Sequence, residues 1–580
     1  MSGIWGIYKT TGVEDIDYGR YLSSYNYPGI INKKFRISEN TVFGRSSINK
    51  FGADRFNQSE NGSFFLNEGV LLNFEKNQLP NVFISSYREN PELLFDSLTG
   101  TYSGAIDNKD EIILYNDYVS SKPLYYFVLR DQGGFLFSSE LQFFPPVLKK
   151  LGIEIQPDTE AWKELSVFGY LLGTKTLING VSKLKRNSVL HFSKNTGKVS
   201  VSKAKPESFE GSDDLNLEEI FNRIDGRFKK IIDDAHQKDI SYGYRHLHAL
   251  SGGLDSRVNV GLSFKSGYFD MKLLTFSESG VAEGKCASDF AASIGKSIDF
   301  IPLDNGKYLS TSLLPCGITG DGIVGIQGAA HQFYALENYK LDDSGIFHTG
   351  QLGDAVFGTF TGDEESLYRK VRKQCFFRND DYFDKLFSSN SGFLQYGELG
   401  NKGYPLFIFE ERFINGTLNG DRVSTNFTDS FSPFCDHEII QLMYGLPADK
   451  YNGQKIYIDF LKSRYPFMLD SKIDRSFFKP KNYTVYKYGC LAKKVWRKFI
   501  DPDSMVPFGK WFRENKKLST WLIGERNKLL AEYGSEQVIN EYANLNEKDI
   551  MACFQSLTLL LAYDLHFGKN IVNKLPEKYR

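Results

Sequence analysis

At 580 residues the chain is too long for a single hydrophobic core, so two or more domains are expected. Seventy lysines and arginines against 71 aspartates and glutamates leave a formal net charge of −1, which offers no support to a nucleic-acid or acidic-polymer binder. There is no basic segment leading into an apolar run at the N-terminus and no uncharged apolar stretch of ~18 residues, so neither signal peptide nor membrane span is expected.

The six cysteines are scattered without a CxxC pair or metal-ligand spacing, as in a reduced, cytoplasmic protein with free thiols. Aromatic residues make up 15% of the chain, which suits either well-filled cores or a site that stacks rings.

Residues 1 to about 205 read as short strands separated by turns, including Thr41–Gly44, Ser63–Leu66, Ile112–Asn116, Leu124–Leu129 and Phe135–Ser138. Helical stretches are fewer, at Pro91–Leu98 and Ala161–Leu172, so two packed sheets with flanking helices are expected. From about 215 strands alternate with helices, the pattern of a parallel sheet.

Within that second half, Tyr244–Ala249 is short enough for a buried strand and Arg257–Ser266 opens a helix. Between them runs Leu250-Ser251-Gly252-Gly253-Leu254-Asp255-Ser256. A glycine-rich turn between strand and helix aims backbone N–H groups at one point beside the positive end of the helix dipole, which makes an anion cradle. Ser251 and Ser256 add hydroxyls, and Gly252 and Gly253 let the backbone come close to a phosphate. Asp255 would repel a bare phosphate unless a divalent cation stood between them, so the loop implies nucleotide phosphate with magnesium. It lacks the Gly-Lys-Ser/Thr ending of a Walker loop.

Further along, Lys272–Ser277 reads as a strand, Glu283–Ile294 as a helix and Ser297–Pro302 as the next strand. The last hundred residues read as helical, with Asn546 and Asp549 capping a buried helix through Met551–Phe567 that ends at Gly568. The basic, aromatic run Tyr486–Phe499 is a solvated helix face or an attractor for an anionic acceptor.

Several motifs carry a family resemblance. Met1-Ser2-Gly3-Ile4 resembles the Met-Cys-Gly-Ile opening of class II glutamine amidotransferase domains. Phe43-Gly44-Arg45-Ser46-Ser47-Ile48, Asn116–Tyr126, Phe137-Ser138-Ser139-Glu140 and Thr176–Val181 are similar to later motifs of that domain, in the same order. The Ser251–Ser256 loop resembles the SGGxDS pyrophosphate loop of ATP pyrophosphatases, and Gly345–Gly358, with Thr349-Gly350-Gln351-Leu352-Gly353-Asp354 at its centre, resembles SGEGSDELFGG. Together they place the chain beside the asparagine synthetases, β-lactam synthetases and lasso-peptide cyclases.

The resemblance implies an α/β protein. Residues 1–205 would form an αββα N-terminal-nucleophile-like sandwich, and residues 215–580 a parallel-sheet ATP-pyrophosphatase domain with a helical C-terminal part. It implies ATP and Mg²⁺ as cofactors. Leu250, Phe276 and Ser277 would border adenine, while Ser251, Gly252, Gly253, Ser256 and Gly350 would hold ATP or pyrophosphate. Asp255 and Asp354 would hold the metal, and Arg475, with Lys479 as the alternative, would stabilise developing charge. Ser432–Asp436 resembles a further motif, with a cap or buried pair the favoured role for Asp436.

The departures bear on function. The nucleophilic thiol of the family is replaced by Ser2, and no cysteine occurs in residues 1–205. The glutamine-holding Asn-Gly-Glu aligns with Glu68-Gly69-Val70, and the family glutamate of SGEG with Gln351. Serine serves as an N-terminal nucleophile in other hydrolases, but the accompanying loss of the binding motif favours a retained scaffold. The expected reaction is adenylation of a carboxylate and transfer of ammonia or an amine to it. The wording of His348–Asp354 and Gly328–His331 is most similar to relatives thought to amidate sugar uronic acids in surface polysaccharide biosynthesis. The alternatives are an asparagine synthetase, a peptide or lactam cyclase, or a catalytically silent nucleotide-binding scaffold. Expected partners are a small-molecule or sugar carboxylate and an ammonia-supplying protein, with a homodimer as the assembly.

Overall fold

The computed structural model describes residues 3–23, 27–209, 215–360, 365–376, 380–447, 450–451, 453–497, 504–543, 545 and 549–568. Among the described residues, twelve strands lie in the N-terminal part: β1 Gly3–Lys9, β2 Ile30–Arg36, β3 Thr41–Ile48, β4 Asn57–Glu60, β5 Ser63–Leu71, β6 Gly100–Asp107, β7 Glu111–Asn116, β8 Tyr125–Leu129, β9 Gly134–Ser138, β10 Ser182–Lys183, β11 Ser188–Ser193 and β12 Val199–Lys203. They form two six-stranded antiparallel sheets, ordered β10-β8-β9-β1-β3-β2 and β12-β11-β7-β6-β5-β4.

Side chains alternate across each strand, and that alternation builds the layers. Ile4 and Tyr8 of β1 meet Phe64, Leu66, Ala105 and Leu114 of the other sheet in a shared core. Trp5 and Ile7 point the opposite way, under helices α3 (Phe144–Lys150) and α4 (Thr159–Phe168). On the second sheet, Phe65, Tyr102, Ile113 and Tyr115 face away from that core, under α1 (Asn81–Glu89) and α2 (Pro91–Ser97). The order is therefore helix, sheet, sheet, helix. Gly104 is needed for close packing, since a Cβ there would sit 2.0 Å from the Tyr115 ring.

The C-terminal part is built on a five-stranded parallel sheet, ordered β15-β14-β13-β16-β17. Its strands are β13 Arg245–Ala249, β14 Met271–Ser277, β15 Asp299–Pro302, β16 Ser344–His348 and β17 Ser430–Phe431. Helix α5 (Leu217–Ser241) precedes β13, and α6 (Leu254–Lys265), α7 (Ala282–Ser293), α8 (Leu309–Thr319) and α9 (Gln327–Glu337) lie in the connections between the strands. The strand order runs β13 to β14 to β15 on one side and resumes at β16 on the other. The C-terminal ends of β13 and β16 thus flank a topological switch point, where open α/β sheets bind ligands.

Most elements read from the sequence lie within two or three residues of those observed. Helix α6 starts at Leu254 rather than Arg257, because its first turn is the end of the glycine loop itself. Helix α4 stops at Phe168, short of the expected Leu172, because Gly169 turns left-handed at φ 76° and closes it. Among the described residues the last helix, after α10 (Gly353–Val356), α11 (His437–Tyr444) and α12 (Tyr483–Trp496), is α13 (Ile550–His566). Asp549 alone supplies its observed cap, accepting from Met551 N and Ala552 N, and Asn546 lies outside the described residues.

Helix α13 is apolar on almost every face, as expected, and packs under both parts of the chain. Gln555 Nε2 donates to Ser166 O at 3.0 Å, and His566 Nε2 pairs with Asp321 O at 2.8 Å. Among the described residues no helix is long and apolar enough to cross a membrane.

Candidate functional site

Two turns meet at the switch point. The first, Leu250–Gly253, leaves β13 and becomes α6, with Gly253 as its N-cap residue. Within it Ser251 N donates to Ser256 Oγ at 2.9 Å, the two hydroxyls lie 2.8 Å apart, and Gly253 N donates to Ser251 Oγ at 3.2 Å. Both serine hydroxyls are therefore held by each other and by the loop backbone.

The second turn, Thr349–Asp354, leaves β16. Asn259 Nδ2 donates to Thr349 O at 2.8 Å, and Ser432 Oγ donates to Gln351 O at 2.7 Å. Leu352 takes φ 72°, a left-handed conformation uncommon for a side-chain-bearing residue, which directs the chain into α10. The two turns are packed backbone on backbone. A Cβ on Gly350 would lie 2.4 Å from Ser256 N, and one on Gly353 would lie 2.4 Å from Asp255 Cγ. Only glycine permits this approach.

That approach brings two acids together across 99 residues: Asp354 N donates to Asp255 Oδ2 at 3.1 Å. Asp255 Oδ1 is buried without a hydrogen-bond partner. Burial first, and then the Asp354 charge, push the Asp255 carboxyl up to about 8. A buried, unpaired carboxylate oxygen beside a second carboxylate is a costly arrangement unless a proton or a cation neutralises it. These are hard oxygen donors of the kind that hold Mg²⁺, so the residues fit the ion. Arg475 Nη1 lies 3.7 Å from Asp354 Oδ2 on an exposed side chain. Lys479 is exposed and its charge acts on Asp470.

A second pair of acids, Glu283 and Asp474, was not singled out in the sequence. Glu283 Oε1 accepts from Gly252 N at 3.1 Å, and Asp474 N donates to Gly252 O at 3.0 Å. Burial, followed by the Asp474 charge, pushes Glu283 up to about 8. The signal was positional: Glu283 lies in the first turn of α7, and α7 follows β14, the neighbour of β13. Parallel strands side by side put their succeeding turns side by side.

Of the residues expected around adenine, Leu250 and Ser277 are buried, and Leu250 N donates to Leu274 O at 2.9 Å. The Phe276 ring is partly buried, 5.6 Å from His331. Gln351 lies beside Asp421, whose carboxyl burial pushes up to about 7. Sequence reading missed Asp421, since nothing near it in the chain marks it. Asp436 caps α11 through Glu438 N and Ile439 N and pairs with Arg227 at 2.6 Å.

Beneath the two turns, α5 braces β13 to β16. Asp239 Oδ2 lies 2.9 Å from both His246 Nδ1 and His348 Nε2, and Asp239 Oδ1 accepts from Ile346 N at 2.8 Å. The His348 ring stacks on His248 and His236, with centroids 4.7 and 4.4 Å away. His236 Nε2 and His248 Nε2 lie 3.3 Å apart, and His236, His248 and His348 bring ring nitrogens within 4.8 Å of one another in a buried cluster.

In the N-terminal part, Ser2 lies outside the described residues. Glu68 is fully buried in a charge cluster. Arg55 Nε reaches it at 2.9 Å and Lys122 Nζ at 3.6 Å. Both cations also contact Asp429, with Lys122 Nζ 2.8 Å from its Oδ1. Asn116 serves structure, donating to Lys185 O at 2.9 Å and accepting from Ser188 N at 3.0 Å.

Residues 71–203 match the family model of a glutamine amidotransferase domain, which covers under a quarter of the chain. No curated protein matches. Solved structures similar to the chain include a glutamine phosphoribosylpyrophosphate amidotransferase from B. subtilis complexed with ADP and GMP, at 12% identity and TM-score 0.23, covering 52% of this chain and 91% of that one. Another is an allosteric regulatory enzyme of purine biosynthesis, at 11% identity and TM-score 0.24, covering 51% of this chain and 64% of that one. Overlaps this poor carry no argument about the site. An amidotransferase-type domain in the N-terminal part is what the family match supports.

Proposed function

We propose that the protein is an ATP-dependent amide-forming ligase of the asparagine-synthetase type. Residues 1–205 form an amidotransferase-like domain without glutaminase activity, and residues 215–580 form the synthetase domain. The observation that carries this reading is the meeting of the Ser251–Ser256 loop with Asp255 and Asp354 at the switch point of the parallel sheet.

The first-turn N–H groups of α6, which no side chain caps, and the Ser251 and Ser256 hydroxyls hold the phosphates of ATP, with Leu250, Phe276 and Ser277 around the base. Asp255 and Asp354 hold Mg²⁺, which when bound neutralises phosphate charge. Arg475 adds a cation at the same place and stabilises the departing pyrophosphate. A carboxylate attacks the α-phosphorus, pyrophosphate leaves, and an amine or ammonia displaces AMP from the acyl group. Gln351 has no carboxylate to take the amine proton; Asp421 beside it supplies one that titrates near neutrality. A sugar uronic acid is the first acceptor to try. The buried Arg55, Lys122, Glu68 and Asp429 cluster supports a scaffold role for the N-terminal domain, because charged side chains occupy the position of the lost amide.

The test is calorimetric titration of a non-hydrolysable ATP analogue with Mg²⁺ into wild type and Asp255→Ala, followed by a carboxylate screen for AMP release. Binding lost in the variant and AMP formed with one carboxylate class support the ligase. Absence of binding to wild type would leave only a scaffold.

A further inference from the structure

Helix α12 has two apolar faces, and only one is used. Tyr486, Gly489 and Lys493 face the body of the protein; Tyr486 Oη donates to Gln454 Oε1 at 3.0 Å. On the opposite side Val485, Tyr488, Leu491 and Val495 are 48, 66, 51 and 55% exposed. At 100° per residue those four fall within one stripe. Phe478, on the preceding strap, packs beside Gly489 on the covered side yet stays 51% exposed, and the Phe477–Trp496 pair, with ring centroids 5.8 Å apart, borders the stripe. Scattered exposed apolar residues are ordinary, but a contiguous stripe of this kind marks an interaction surface.

The charge around it is one-sided. From Arg475 to Ile500 the chain carries eight lysines and arginines and no aspartate or glutamate, in a protein whose formal net charge is −1. Lys487 and Lys494 are exposed on the helix, and Lys479 and Lys481 on the strap. The chain's own end does not complement this face, because residues 569–580 hold four cations and one acid. Aliphatic Val485, Leu491 and Val495 among the aromatics suit insertion between acyl chains better than base stacking, which uses aromatic faces alone.

We propose that this face docks on a membrane surface bearing anionic lipid headgroups. The apolar stripe enters the boundary between headgroups and acyl chains, and the lysines lie against the phosphates. The patch borders the candidate site: Arg497 Nη2 donates to Asp474 O at 3.0 Å, and Asp474 N holds Gly252 O. Docking would thus present the site mouth beside the bilayer. This surface stands independently of the ligase reading, since its readout is vesicle binding alone.

The experiment is flotation of the full chain with phosphatidylcholine vesicles, with and without phosphatidylglycerol. The wild type is expected to float only with the anionic vesicles, and less so as salt rises. Replacing Tyr488, Leu491 and Val495 by serine removes flotation, and each of Lys487→Glu and Lys494→Glu weakens partitioning at least about fivefold. Unchanged thermal melting of these exposed-site variants shows that folding is intact. The proposal is overturned if wild type ignores anionic vesicles, or if the triple serine variant floats as well as wild type. It is also overturned if sedimentation shows a dimer that the serine variant dissolves, which would assign the face to a second copy, or if a single-stranded polynucleotide binds in preference to the vesicles.

Discussion

Replacing Asp255 by asparagine should make the metal-free protein more stable at alkaline pH and insensitive to Mg²⁺. The carboxyl is buried, its Oδ1 lacks a partner, and Asp354 lies against it, so it keeps a proton up to about 8. In the unfolded chain the same carboxyl titrates near ~3.9. Because the folded pKa is the higher one, its contribution to stability is complete below ~3.9 and is lost as pH rises through about 8. Four units at ~1.4 kcal/mol each set a ceiling of ~6 kcal/mol, and relaxation and water entry bring the working figure to ~3 kcal/mol.

At ~2.1 cal/mol/K per residue, a chain this long shifts by about 1 °C per kcal/mol if it unfolds as one unit. The asparagine variant should therefore melt ~3 °C above metal-free wild type at pH 8.5 and draw level toward pH 4. Adding Mg²⁺ at about a hundredfold over its dissociation constant should return ~2.7 kcal/mol to wild type and nothing to the variant. Scanning calorimetry over a pH series, with and without Mg²⁺, measures both effects. Parallel melting curves across the series, or an equal Mg²⁺ shift in both proteins, would refute the reasoning.

Gly350→Ala places a methyl group 2.4 Å from Ser256 N, so the turns must separate; ATP-analogue binding by calorimetry should vanish, with stability lowered by ~2 kcal/mol. Ser2→Cys alone should release no glutamate from glutamine in a coupled assay, because Glu68 stays paired with Arg55 and Lys122. Glu68→Ala should cost ~3 kcal/mol in urea unfolding by leaving those buried cations with Asp429 alone. Burial, then the neighbouring imidazoles, holds His236 and His248 well below the ordinary histidine range. Their depressed folded values mean that stability is whole above ~6.5 and falls as pH drops below it; a melting temperature unchanged between pH 7 and pH 5 would contradict this.

Features that depend on neighbours along the chain were legible before folding. Alternation of apolar residues set the strands of the N-terminal sandwich, and the switch to alternating strands and helices announced the parallel sheet. Ser251-Gly252-Gly253 could be read as a phosphate-sized turn because backbone freedom and hydroxyl chemistry are local properties. Resemblance extended this to Asp354, and the structure brings that residue to Asp255.

Pairings between distant residues were decided only by the tertiary structure. Glu283 meets Asp474 under the loop, Asp421 lies beside Gln351, and Arg55 pairs with an aspartate 374 residues away. Each pairing follows from strand order and from which turns end side by side, and strand order leaves no periodicity in the sequence. The same holds for α12: its basic, aromatic run read as a helix face, but which face the body covers, and which is left for another surface, was fixed by packing against the strap at Ser476 and Phe478. Local propensity chooses the elements; burial of the opposing faces, which no segment can choose alone, chooses their partners.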